Sequence, residues 1–263
     1  MEILRRSAAP VTSEAWQEMD EQAKQILTTT LSARKFADVE GPMGWKYAAH
    51  PLGRLSLAEN QNSQGVRYGV HKVLPLVESR RTFELSIWEL DNISRGAKNP
   101  DLSALEEAAK EMALFEEKAV YFGLAAAGIE GLTKAAEGRT VALAGEDGNG
   151  IANSVTEATL RLNGEGIEGP YALIASTKLW KKIYGESRGY PLSKHVERIV
   201  EKVILSSQDV SFVVSLRGGD FQLVLGQDFS LGFEERCGDK VRFFLAESFT
   251  FQVNTPEAVV SLG

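Results

Sequence analysis

The residues most able to do chemistry are few. The chain has three histidines, His50, His71 and His195, and one cysteine, Cys237. No histidine falls in a metal-ligand spacing such as HExxH, and a zinc site would have no second cysteine to draw on. His50 precedes a proline, His71 lies in a predicted hairpin, and His195 lies on a helix rich in lysine and glutamate, so structural roles are expected for all three. Cys237, between Arg236 and Gly238, reads as an inert thiol sooner than a reactive one. The string GEDGNG at 145–150 lacks the GxxxxGKS/T pattern of a phosphate loop and reads as a turn. No GxSxG elbow occurs. Glu106–Glu107 and Glu116–Glu117 are adjacent acids on a predicted helix, which points each pair partly apart; a solvated face is expected, not an acid/base pair. No catalytic or metal-ligating residue is assigned, and no cofactor is required.

Trp88 stands out for another reason. The alternation in RTFELSIWEL places it on the strand face opposite Phe83, Leu85 and Ile87, with Arg80 and Arg81 upstream. An exposed indole beside arginines is a candidate stacking site for a flat aromatic ligand or a partner's side chain. Packing against another subunit or helix is the plainer reading.

Composition narrows the class. At 263 residues, 43% hydrophobic and 25% charged, the chain can bury a large core in one elaborate domain or two modest ones. Its net charge is −7 and its pI is near 5.2, which argues against nucleic acid as the main partner. A single cysteine permits no intrachain disulfide and favours a reducing compartment, so a cytoplasmic location is expected. The N-terminal residues lack the apolar core of a signal peptide, and no segment reaches the roughly 20 apolar residues of a membrane span, so neither export by that route nor a place in a bilayer is expected.

The elements that must position any site follow from periodicity. A helix is predicted over 13–36, capped by Thr12 or Ser13, with Trp16, Met19, Ala23, Ile26, Leu27 and Leu31 on its apolar face and three threonines at 28–30 weakening its end. Residues 39–53, VEGPMGWKYAAHPLG, are too broken for a regular helix and too bulky for a flexible linker. A hairpin follows, with Leu55 and Leu57 on one arm, Val66, Tyr68 and Val70 on the other, and a polar turn at 59–65. It has too few apolar residues for a core of its own, so it must lie on something, and that could be another chain. After the strand around Phe83 comes a long helix over 102–127, about 40 Å in length, with Asp101 or a Ser103–Glu106 capping box at its start. Residues 128–217 read as an α/β insert: a helix near 154, a buried strand from 169, helices over 177–184 and 192–203, and the strand DVSFVVSL. The tail is all strands and needs a partner, for which 83–88 is the candidate.

Several long, irregular strings carry a resemblance. GPMGWKYAAHPLG, WELDN, DLSALEEAA, GIEGPYALI, RGGDFQLVLGQDFSLGFE and ESFTFQVNTPEA look like the encapsulin shell proteins, also called the linocin-like bacteriocin family. The likeness runs in order along almost the whole chain and is weakest over 133–165. It implies an α+β fold of the tailed-phage major capsid (Hong Kong 97) type. Residues 1–51, 75–127 and 218–263 would form a peripheral domain that includes the N-terminal and spine helices, 52–74 the extended loop, and 128–217 the axial domain. Residues 39–53 would then be a rigid elbow that sets the angle of the loop.

The resemblance also implies a role. Encapsulins self-assemble in prokaryotic cytoplasm into icosahedral compartments of at least about sixty chains. They enclose cargo enzymes, commonly ferritin-like iron oxidases or dye-decolorising peroxidases, and so serve iron storage or oxidative-stress defence. The cargo's C-terminal peptide docks between the N-terminal helix and nearby strands, which here points to Leu27, Leu31, Arg34, Asp38, Phe229, Leu231 and Phe233. For the apolar members, core packing is the competing reading. The five-fold pore would be lined by Tyr184, Gly185, Glu186, Ser187, Arg188, Gly189 and Tyr190. Partners would be copies of the chain and the cargo peptide, without nucleic acid or membrane. The alternatives are a bacteriocin- or protease-like enzyme, for which no nucleophile–base arrangement speaks, and a viral major capsid protein, which usually begins with a scaffolding segment or arm.

Overall fold

A computed structural model describes residues 3–57, 65–144, 148–185 and 191–263. Helix α1 (Ser13–Thr30) leads into the short strand β1 (Asp38–Glu40). A hairpin follows, β2 (Ala49–Leu57) and β3 (Gly69–Pro75), then β4 (Val77–Ser86), α2 (Ile87–Ser94) and the spine helix α3 (Ser103–Phe122). The middle of the chain holds α4 (Leu132–Ala135), β5 (Thr140–Val141), α5 (Gly148–Gly164), β6 (Tyr171–Ala175), α6 (Thr177–Tyr184), α7 (Leu192–Val196), β7 (Lys202–Leu205) and β8 (Ser211–Ser215). The long strands β9 (Phe221–Cys237) and β10 (Lys240–Val253) and the short β11 (Val259–Leu262) complete it.

The strands form two sheets and a separate ribbon. The first sheet has the order β1-β9-β10-β4. β10 runs antiparallel to both β9 and β4, so Phe243 faces Phe83 on one side and Phe233 on the other. The predicted strand around Phe83 is thus the partner that the tail strands needed. The second sheet has the order β5-β11-β8-β6-β7. β11 lies inside it, antiparallel to β8 and parallel to β5. Residues 218–263, expected to lie together, thus divide between the two sheets, with β9 and β10 in the first and β11 in the second. Asn254 turns the chain by donating its N–H to the Asp220 carbonyl, and Val259, Val260 and Leu262 are buried as a strand in a sheet centre requires. The ribbon is β2 paired only with β3.

Local chemistry explains where elements differ from expectation. Thr12 caps α1 by accepting the Ala15 N–H, but the helix stops at Thr30, short of 36. Thr29 and Thr30 turn their hydroxyls back onto the Gln25 and Ile26 carbonyls, a pairing that weakens helix ends. Trp88 is not on a strand: Ser86 accepts its N–H and starts α2 one residue earlier. No Ser103–Glu106 box forms, because Glu106 accepts from Gln22 while Asp101 takes the N–H and hydroxyl of Ser103. The spine ends at Phe122 because Gly123 adopts φ +85° and Gly131 packs against its backbone too closely for a side chain. The helix expected near 154 spans 148–164, and the one expected over 192–203 gives way after α7 to β7, the edge strand beside β6. Val66 and Tyr68 precede β3, and the hairpin turn up to residue 64 lies outside the described residues. So do 145–147 of the expected turn and Glu186, Ser187, Arg188, Gly189 and Tyr190 of the expected pore, whereas Tyr184 ends α6 and Gly185 caps it.

Two apolar clusters meet on α3. In the first, Trp16, Met19, Ala23 and Leu27 of α1 pack on Leu105, Ala108, Ala109 and Met112 of the spine and on Phe83 and Phe243 of the first sheet. The alanines let the two helices approach closely, and each large side chain removed from water contributes roughly 2 kcal/mol. In the second, Ala119, Val120 and Tyr121 at the end of the spine join the second sheet, α5 and the far ends of β9 and β10.

Between the clusters sit Glu116 and Glu117, both fully buried. The expectation of a solvated face holds for Glu107, which is exposed, and fails for this pair. Glu117 accepts the Ser32 N–H at 2.9 Å, the Ala33 N–H at 2.8 Å and the Ser32 hydroxyl, which in turn lies 2.7 Å from the Tyr121 hydroxyl. These donors hold the end of α1 on the spine.

Burial, only partly offset by the donors from Ala33 and Ser32, raises the Glu117 carboxyl from 4.5 to about 7. The folded chain then holds that proton more tightly than the unfolded one, so the stability it contributes is complete below about pH 4.5 and lost as pH rises to about 7. Glu117→Gln keeps an acceptor and does not titrate. Its melting temperature relative to wild type should climb between those two pH values, by the equivalent of roughly 3 kcal/mol. A flat difference would contradict this protonation. Glu117→Ala, which strands the Ser32 and Ala33 donors, should lose roughly 3 kcal/mol below about pH 4.5, and the deficit should narrow as pH rises to about 7.

Candidate docking groove and assembly arm

A groove of about 650 Å³ runs between α1 and β9. Ala23, Leu27 and Leu31 recur every four residues and so share one face of the helix and its cap, supplying one apolar wall. Phe229 and Leu231, two residues apart on β9, supply the other, with Leu245 of β10 and Leu4 beside them. Leu27, Leu31, Leu231 and Leu245 are buried, whereas Phe229 is half-buried. Charged groups rim this channel: Lys24, Lys35 and the Arg6–Asp20 ion pair at 2.6 Å, whose arginine also lies over the Trp16 ring.

Arg34 stands at one end. Its Nε donates to Glu116, Nη1 to Asp228 at 2.8 Å, and Nη2 to both Glu116 and Glu247 at 2.6 Å each. Its guanidinium carbon lies 5.0 Å from the centre of the Phe229 ring. Burial alone would lower the Arg34 guanidinium; the bonds and charges of Glu116, then Glu247 and Asp228, outweigh it and hold the group firmly cationic. A β-bulge makes this geometry. Ala246 pairs with Ser230 and Ser248 with Gln227, so Asp228 and Phe229 together oppose the single residue Glu247. The extra residue turns Asp228 to Arg34 and Phe229 into the groove.

Of the residues expected to bind a peptide, Leu27, Leu31, Arg34, Phe229 and Leu231 come together here. Asp38 and Phe233 do not line it. Asp38 starts β1 and accepts the Gly219 N–H at 2.5 Å. Phe233 packs edge-on to Phe243 and donates its N–H to the Leu4 carbonyl. Ala23, Lys24, Asp228 and Leu245 belong to the lining and were missed. The four-residue step back from Leu27 reaches Ala23, but nothing in the sequence marks the bulge at Asp228.

The second candidate feature is the β2–β3 arm. Leu55, Leu57, Val70 and Val73 are exposed on it, Leu57 to 70%. Its root is tied down. Met43 and Gly44 donate to the carbonyls of Leu225 and Gly226 on β9, Leu76 donates to Ala48, and the Tyr47 hydroxyl lies 3.1 Å from Nδ1 of His50. Residues 39–53 thus lie against the first sheet, with Trp45 and Tyr47 half-buried. Leu52 and Leu74 at the root face the subunit's own body, but a fixed root carrying exposed apolar residues further out is the geometry of a surface awaiting a partner.

The remaining candidates lie apart. Trp88, 62% exposed, has the Arg95 guanidinium 5.9 Å from its ring. Arg80 lies over Phe244 and Arg81 pairs with Glu111, so the expected Trp88–Arg80–Arg81 grouping is not what surrounds the indole. The Cys237 thiol is pushed up by partial burial and by Glu235, away from reactivity. Among the described residues no group of three or more histidines, cysteines and acids could hold a metal ion, and no helix is long and apolar enough to cross a membrane.

Residues 1–250 match the family model described as "Encapsulating protein for peroxidase". The type 1 encapsulin shell protein of Rhodospirillum rubrum is 36% identical over 273 residues, which cover 100% of this chain and 96% of that protein. Among solved structures, the virus-like particle from Pyrococcus furiosus matches with a TM-score of 0.66 at 17% identity, over 94% of this chain and 98% of that one. The capsid of Myoviridae phage XM1 matches with a TM-score of 0.57 at 12% identity, over 88% and 91%. At those identities the likeness speaks for the fold, the α+β fold of tailed-phage capsid subunits. Two sheets joined by a spine, an unpartnered arm and a family match over nearly the whole length agree: the chain belongs to the encapsulin shell-protein family.

Proposed function

We propose that this chain is the shell subunit of a closed icosahedral compartment, built from about sixty copies, that encloses an enzyme and performs no catalysis itself. The observation that carries this is the apolar β2–β3 arm on its fixed root. Each arm reaches one neighbour while its subunit receives another's, and such head-to-tail contacts end in a closed body when the rotations close. The cargo enzyme, a dye-decolorising peroxidase or a ferritin-like iron oxidase, presents an extended C-terminal peptide to the groove between α1 and β9. Weak docking suffices, because an oligomeric cargo occupies several grooves at once. The segment 184–190 lines the five-fold pore. Trp88 offers a face to a flat aromatic ligand, with Arg95 as its cation. The compartment is cytoplasmic, and its net charge of −7 suits neither nucleic acid nor an anionic membrane.

Negative-stain microscopy and mass photometry of the tag-free chain, expressed alone, test the shell. Uniform hollow spheres of at least roughly 1.7 MDa are expected for copies of 28.8 kDa. A compact monomer would overturn the reading, hydrolytic turnover by that monomer would favour the enzyme alternative, and packaged DNA the viral one. Paired Leu57→Asp and Val70→Asp substitutions, on exposed positions outside the subunit core, should leave a folded subunit that no longer assembles.

The groove has its own test. Thr28 is exposed on its wall, so Thr28→Trp fills the channel without disturbing the core. Shells should form normally, while co-purification of the enzyme encoded by the neighbouring gene falls about tenfold. Unchanged loading would exclude this groove as the dock.

A further inference from the structure

Three carboxyl groups converge on the one guanidinium of Arg34: Glu116 from α3, Asp228 from the β9 bulge and Glu247 from β10. Glu116 and Glu247 are fully buried and reach the same nitrogen at 2.6 Å. The second oxygen of Glu247 is buried without a partner among the described residues. Glu117, the other charge nearby, is spent on Ser32 and Ala33. A structural ion pair needs one acid for one base, and burying a second charge is costly unless it does something. What these acids do in space is to fix the rotamer of Arg34, whose guanidinium lies over Phe229 and lines the groove with it.

We propose that Glu116 and Glu247 are positioning residues for peptide docking: they touch no peptide, but they lock Arg34 against Phe229 and so set the shape of the groove's wall. The inference rests on the groove being the dock. It extends that reading to two residues outside the groove lining, one of them from a sheet strand, and makes affinity depend on a supporting shell. Two buried carboxyl groups beside one cation exceed its charge. Burial, and then Glu116, holds the Glu247 carboxyl well above the usual carboxylate range, while Arg34 opposes this. Glutamine at 247 therefore mimics the protonated group, whereas methionine keeps the volume and removes the grip.

The test is binding of a fluorescein-labelled synthetic peptide, the C-terminal segment of the neighbouring-gene enzyme, to assembled shells. Glu116→Met with Glu247→Met should weaken binding about tenfold, as should Arg34→Met. Combining all three should weaken it no further than either, because both act through one side chain. Glu247→Gln should bind within about threefold of wild type. Arg34→Lys keeps the charge and both glutamates but cannot span three carboxylates, so it should also lose about tenfold and serves where the methionine pair does not assemble. Wild-type affinity in the methionine pair or in Arg34→Lys, or additive losses in the triple variant, would overturn the inference. Should wild-type shells fail to bind, or Thr28→Trp bind equally well, the groove reading itself falls and takes the inference with it.

Discussion

A carboxylate out of reach of water must find donors, and the spine helix carries two such groups side by side. Successive helical residues point about 100° apart, so Glu116 and Glu117 address different neighbours from one place. Glu117 takes the backbone N–H groups of Ser32 and Ala33 just past the end of α1, and Glu116 takes the side chain of the next residue, Arg34. Through them the N-terminal helix, the spine and the first sheet share one fixed geometry. The apolar clusters on either side supply most of the stabilisation, but grease alone does not choose an angle. The groove exists because α1 is stopped at Thr30 and pinned there, at a set distance from β9.

Much of the fold was legible in the residues. The caps at Thr12, the stripe of Trp16, Met19, Ala23 and Leu27, the pairing of the tail strands with Phe83 and the orphan hairpin all follow from periodicity and composition. What was hidden is of one kind. Ile87 and Trp88 continue an alternating pattern, and only the hydroxyl of Ser86 turns them into a helix. Val259–Leu262 has the pattern of a strand but nothing to say which sheet it enters. Glu116 and Glu117 look like a wet face because Arg34, Ala33 and Ser32, their partners, lie 82 to 85 positions away in the chain. Long-range polar pairing leaves no periodic trace.

The groove shows the same division. Leu27, Leu31, Arg34, Phe229 and Leu231 came from family likeness and converge in space. Asp38 and Phe233 do not line it, since the chain leaves α1 along β1 and the N-terminal turn covers the far part of β9. The bulge that brings Asp228 and Phe229 to Arg34 is a matter of register between two strands, and register is a property of the pair.

The placement of β11 carries a consequence for how the subunit is made. This strand lies between β5 and β8, joining residues some 120 positions apart in the chain. Until 259–262 have left the ribosome, the buried edge of β8 faces an empty slot and the second sheet is open, a late, non-local closure of the kind that folds slowly. A chain cut short before that point lacks an internal strand, not a dispensable tail. The second sheet is therefore completed by the residues synthesised after all its other strands.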